Sequence, residues 1–163
     1  MRLFFDEARK KPWYANTVFV LIGDHGKLVG EAESVHPESY NHVPLMIHVP
    51  GGTPQIRREW ALQMDVQPTL LGLLGIGARQ HNFGVDLNRI KRPCAFYTAD
   101  NVVCARDSSR FYVYEPSTGQ EHFYRDGKNA DGADSIFSEM RNYLFSMIQS
   151  AQYLLQQGKT TVR

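Results

Sequence analysis

Cysteine is scarce in this sequence: the 163 residues contain two, Cys94 and Cys104, and neither sits in a C-x-x-C or Cys/His zinc spacing. A disulfide-stapled scaffold is therefore excluded; buried free thiols are expected, with a cross-strand pair as the alternative, and neither fixes the compartment. Long apolar runs are missing too. The longest near the front, Val18 to Ile22, falls far short of the ~20 residues needed for a membrane helix. Met1 to Lys11 lacks the apolar stretch and small-residue cleavage site of a signal peptide. Charge of one sign is not in excess: 18 Lys and Arg against 17 Asp and Glu leave +1, so no nucleic-acid partner is expected. Gly23, Gly26 and Gly30 do not form G-x-G-x-x-G, and no helix pattern follows them, which sets a dinucleotide-binding domain aside.

What is present is an average globular composition, 42% hydrophobic and 21% charged, in a chain long enough to bury a core without covalent help. The texture changes near Arg89 to Pro93, which divides the chain into 1–92 and 93–163. In the first part Leu3, Phe4, Phe5 and Ala8 form one face of a short helix ended by Pro12. Thr17 to Ile22 (TVFVLI) is β-branched and continuously apolar, as buried parallel strands are. Leu45 to Val49 is a second strand, closed by Pro50-Gly51-Gly52. Asp65 is placed to cap a helix from Val66 to Leu74, with Pro68 in its first turn and Gly75 at its end. This is α/β texture.

The second part reads as an antiparallel meander. Its strands are Ala95–Thr98, Val102–Arg106, Phe111–Glu115 and Glu121–Tyr124, with turns at Asp107-Ser108-Ser109 and Pro116-Ser117-Thr118-Gly119. A long helix follows, capped by Asp134 or Ser135 and ending near Gly158. Ile136, Met140, Tyr143, Leu144, Met147, Ala151, Leu154 and Leu155 repeat at three and four along it, a stripe expected to pack on the meander.

Chemistry concentrates at Gly23-Asp24-His25-Gly26, directly after the first strand. In open α/β sheets, ligands bind beyond the carboxyl ends of strands. Adjacent strand residues point to opposite faces, so Asp24 and His25 reach one ion only where the backbone bends, and the flanking glycines permit that. A carboxylate oxygen beside a neutral imidazole nitrogen suits zinc, manganese or a similar divalent ion. The alternative is a capped turn in which Asp24 binds backbone amides.

The order of segments resembles the C-terminal part of the sulfatase/alkaline-phosphatase superfamily, closest to lipoteichoic acid synthase-like phosphotransferases. The residues that carry it are NTVFVLIGDHG (Asn16 to Gly26), SYNHVPLMIHVPGG (Ser39 to Gly52), QMDVQPTLLGLLGI (Gln63 to Ile76) and FGVDL (Phe83 to Leu87). The resemblance implies an alkaline-phosphatase-like α/β sheet followed by a small antiparallel meander packed on a long C-terminal helix. It also implies Asp24 and His25 as ligands of a catalytic divalent metal, manganese or zinc, with the later motifs as scaffold. Phosphoglycerol or phosphoethanolamine transfer from phosphodiesters such as phospholipid head groups is the implied activity, on the extracytoplasmic side of a bacterial membrane. Sulfate ester hydrolysis is the alternative chemistry, and a non-catalytic remnant or binding module the alternative class.

No counterpart of the family's nucleophile is found in this sequence, so the chain is expected to be the last third of a larger enzyme, inactive alone and prone to self-association through an uncovered sheet edge. His36, on a loop with Glu31 and Glu33, is a further possible ligand by resemblance to phosphoethanolamine transferases. His42, before Val43-Pro44, is a possible contact for substrate phosphate. His48 has a structural role by strand alternation, and Lys27 is read as a solvated loop residue.

Overall fold

The computed structural model describes residues 1–27, 38–77, 81–99 and 101–160. By packing, the chain forms two units, Met1–Arg57 and Arg58–Arg163, so the change of texture near Arg89 to Pro93 is a change of secondary structure inside the second unit.

In the first unit, helix α1 (Arg2–Ala8) buries Ala8, while Leu3 and Phe4 of the expected apolar face stay exposed. Strand β1 (Phe19–Ile22) pairs with β2 (Leu45–His48), with Phe19 opposite His48 and Ile22 opposite Leu45. The pairing is antiparallel and the strands are half-buried, where the sequence predicts a buried parallel strand. A continuous apolar run reports that both faces are apolar; it carries no information on the direction of the neighbouring strand, which the path of the chain sets. Rings from three segments meet beside this ribbon: Phe5 lies 5.3 Å from Phe19 and 5.2 Å from His48 between centroids. His48 Nε2 and the Tyr14 hydroxyl are 2.7 Å apart, which is the structural role expected of that histidine. Gly51, at φ +79°, lets the chain turn after β2, where Gly52 N–H donates to Val49 O.

The second unit opens with a 3-10 turn (Gln63–Asp65) running into α2 (Val66–Leu73), which stops one residue before the expected Leu74, and Gly75 adopts φ +67°. Asp65 stands at the N-cap position but its side chain does not cap α2. It is fully buried. Its Oδ2 accepts from Leu62 N (2.8 Å) and Arg92 Nε (2.7 Å), and its Oδ1 from Val85 N (2.8 Å) and Arg92 Nη2 (2.5 Å). A carboxylate cut off from water needs a donor at every lone pair, and the guanidinium fork supplies two at once. Thr69 completes the lock by accepting Leu87 N–H at 3.0 Å, and Gly84 passes so close that a Cβ there would lie 2.2 Å from Met64 O. The Asp-x-x-Pro-Thr and Phe-Gly-Val-Asp-Leu motifs are therefore two halves of one structural joint.

The meander has β3 (Ala95–Ala99), β4 (Val102–Arg106), β5 (Arg110–Glu115) and β6 (Gln120–Arg125), each close to its expected span. A short β7 (Lys128–Asn129) adds a fifth strand through a turn in which Asp126 and Gly127 both have positive φ. Strand alternation sorts the sheet into two buried faces. One carries Ala105 and Tyr112 with Cys94; the other carries Val102, Cys104, Phe111, Val113 and Tyr124. Helix α3 (Ser135–Gln156) is capped by Asp134, whose Oδ1 accepts Ile136 N–H at 2.9 Å, and Gly158 terminates it at φ +61°. Phe137, Met140 and Leu144 bury into the first face, which establishes the helix-on-meander packing. Leu155 departs from the expected stripe: it is 65% exposed, while Ala151 and Leu154 of the same stripe are half-buried. Both cysteines are free and buried, in line with the sequence reading.

Candidate metal centre

The Asp24–His25 pair follows β1 directly, and two backbone bonds hold its ends. Gly23 N–H donates to Pro44 O at 3.4 Å, and Gly26 N–H donates to Tyr40 O at 2.9 Å. A side chain is excluded at the second crossing, where a Cβ on Gly26 would lie 1.9 Å from Ser39 O, and crowded at the first, where one on Gly23 would meet Val43 Cβ at 3.1 Å. The glycines thus allow the 39–44 segment to strap the loop, a second use besides the bend anticipated from sequence. His42 falls between Tyr40 and Pro44, so these bonds bring its backbone alongside the pair, with the residue exposed. Lys27 is exposed as well. His36, Glu31 and Glu33 lie outside the described residues.

Between the glycines, neighbouring side chains turn toward one another, and His25 Nε2 stands 3.8 Å from Asp24 Oδ2. One ion at ordinary zinc distances of about 2.1 Å can touch both atoms. Asp24 Oδ1 accepts the His25 backbone N–H at 2.9 Å, so one feature of the capped-turn alternative is realised as well. His25 Nδ1 lies 2.8 Å from Gly26 O. The two side chains are 89% and 79% exposed, open to an ion from solvent. Asp24 is held below the usual carboxylate range, chiefly by the His25 amide and then by its own, with the His25 ring adding to this. His25 is raised, first by its bond to the Gly26 carbonyl and then by Asp24. The donor set fits a divalent cation: one hard anionic oxygen, one imidazole nitrogen, and a second ring nitrogen engaged by a backbone carbonyl, as metal-ligating histidines generally show. Among the described residues no cluster of three or more His, Cys, Asp or Glu forms a metal site.

Sequence reasoning missed the strap at Ser39–Tyr40 and the Asp65–Arg92 pair. The first had no side-chain signal, since it is built from backbone atoms. The second had only a faint one, a lone arginine ahead of Pro93 in a segment otherwise read as a boundary.

By its likeness to solved structures the chain belongs to one fold class, the alkaline-phosphatase-like folds. Across 99% of its length it superposes on a protein in the alkaline phosphatase superfamily from Vibrio parahaemolyticus (TM-score 0.79, 22% identity, 40% of that chain). It also superposes on the phosphonate monoester hydrolase of Silicibacter pomeroyi (TM-score 0.70, 17% identity, 93% of this chain and 38% of the other). Residues 1–76 match the family described as Sulfatase. Lipoteichoic acid synthase 1 of Bacillus subtilis (strain 168) is 31% identical over 133 residues, which are 72% of this chain and 21% of the synthase. The chain belongs to the sulfatase/alkaline-phosphatase superfamily, close to the lipoteichoic acid synthases. It spans about a fifth of the length of that curated relative. Members of this superfamily are phosphotransferases and hydrolases, generally dependent on divalent metal.

Proposed function

We propose that this chain contributes Asp24 and His25 to the metal centre of a sulfatase-like phosphotransferase acting on phosphodiesters such as phospholipid head groups, with phosphoglycerol or phosphoethanolamine as the transferred group. The observation that carries the reading is the 3.8 Å approach of Asp24 Oδ2 and His25 Nε2 at the end of β1. A bound manganese or zinc ion would supply charge to lower a nucleophile's pKa and to offset charge on the transferred phosphoryl group. The nucleophile is assigned to residues outside this chain, and the chain alone is read as inactive. His42 is assigned to substrate phosphate, supported by the backbone bonds that bring it beside the pair, and His36 is kept as a further ligand by resemblance alone. Sulfate ester hydrolysis is the second reading, supported by the Sulfatase match over residues 1–76.

The resemblance to lipoteichoic acid synthases supports a place on the extracytoplasmic side of a bacterial membrane. Among the described residues no helix is long and apolar enough to cross one. Exposed Ile22, Met46 and Val49 on and after the strands support self-association through the β1–β2 ribbon. The test is titration of the chain with Mn2+ and with Zn2+ by calorimetry. Weak binding is expected in the wild type and its loss in Asp24→Ala and His25→Ala. Equal binding in all three proteins would refute the assignment.

A further inference from the structure

Resting on that metal reading, we propose that Gly26 is the positioning residue of the centre: its carbonyl, fixed from the Tyr40 side, holds the His25 ring as the Nδ1–H tautomer and so presents Nε2 to the ion. A neutral imidazole carries its proton on one nitrogen and its lone pair on the other, and only the lone pair binds metal. A carbonyl only accepts, so the 2.8 Å contact between His25 Nδ1 and Gly26 O places the proton on Nδ1. The ring is 79% exposed, so packing does not orient it. The hydrogen bond must. Gly26 is itself anchored, since its N–H donates to Tyr40 O at 2.9 Å across a crossing too tight for any Cβ.

Asp24 plays a separate part. Its Oδ1 takes the His25 backbone N–H, which leaves the ring tautomer to Gly26. Replacing Gly26 by alanine puts a methyl group 1.9 Å from Ser39 O, which must move the strap or the loop and so carry the carbonyl away from Nδ1. The effect on metal affinity should match that of losing a histidine's outer partner, about 10–100-fold.

The experiment is nitrogen-15 NMR of the histidine side chains at alkaline pH, joined to Zn2+ titration, on the wild type, Gly26→Ala and Asp24→Ala. The expected result is a pyrrole-like Nδ1 and a pyridine-like Nε2 for His25 in the wild type and in Asp24→Ala. A shift toward the Nε2–H form, with weakened zinc binding, is expected in Gly26→Ala. An Nε2–H tautomer in the wild type, a tautomer change in Asp24→Ala, or a folded Gly26→Ala with unchanged tautomer would overturn the positioning role. Should Gly26→Ala fail to fold, the first two measurements still decide it. An Nδ1–H ring whose protein binds no zinc would instead overturn the metal reading on which the role rests.

Discussion

Replacing Asp65 with asparagine changes almost no volume and should still cost the second unit much of its stability. Each carboxylate oxygen accepts one backbone N–H and one guanidinium N–H: Leu62 N and Arg92 Nε at Oδ2, Val85 N and Arg92 Nη2 at Oδ1. An amide must turn its NH2 toward one of these sides. Two of the four bonds then become donor facing donor, and the guanidinium keeps one of its two bonds to residue 65 besides those to Phe83 O at 2.6 Å and the Tyr143 hydroxyl at 3.4 Å. At about 1.5–3 kcal/mol per bond to a charged group, the loss is about 3–6 kcal/mol. Breaking one side of a buried ion pair costs about 3–5 kcal/mol, in agreement. Arg92→Lys should cost less, because an ammonium keeps the charge and loses only the fork. The assay is urea unfolding followed by Trp60, which lies in the second unit, in a Trp13→Phe background. A loss below about 1 kcal/mol for Asp65→Asn, at unchanged denaturant slope, would refute the reasoning, since no buried carboxylate with four donors can tolerate that change so cheaply.

Two further outcomes follow from the second unit. Leu144→Ala should destabilise by about 2–5 kcal/mol, because the side chain is fully buried against the meander. Leu155→Ala should stay within about 0.5 kcal/mol, and equal losses in paired urea curves would contradict the described end of α3. Burial pushes the Cys94 thiol up to about 11 and Cys104 to about 12, from an ordinary 9.0. Thiols raised in the folded state stabilise it fully below their unfolded pKa and lose that contribution as pH climbs toward the folded value. Stability should therefore fall between pH 9 and about 12, less so in Cys94→Ala/Cys104→Ala, as measured by melting temperature across that range.

The meander and α3 were legible because their signals are local. Asp107-Ser108-Ser109 and Pro116 to Gly119 are turn chemistry, and Phe137, Met140 and Leu144 repeat with the helical period. Leu155 fits the same period and is exposed, since period reports a face and not what covers it. The direction of β1 and the partner of Asp65 were not legible, because each depends on a residue far along the chain: His48 lies 29 positions from Phe19, and Arg92 lies 27 from Asp65. At the Asp24–His25 pair the residue types and the bend were readable. The strap was not, since Ser39 O and Tyr40 O belong to the backbone, which every sequence shares.

The two cysteines occupy opposite faces of one sheet, Cys94 beside Phe137 and Cys104 beside Val113. Cys104 pairs with Tyr97, three positions along the ladder from Cys94, which puts the two thiols roughly 10 Å apart along the strand direction alone. A disulfide needs Cα atoms within about 7 Å. Oxidation therefore cannot staple the assembled sheet, whichever compartment holds it. A Cys94–Cys104 crosslink found on a non-reducing gel would be a fossil of chains that oxidised before β3 and β4 had closed, and its abundance would record how often assembly loses that race.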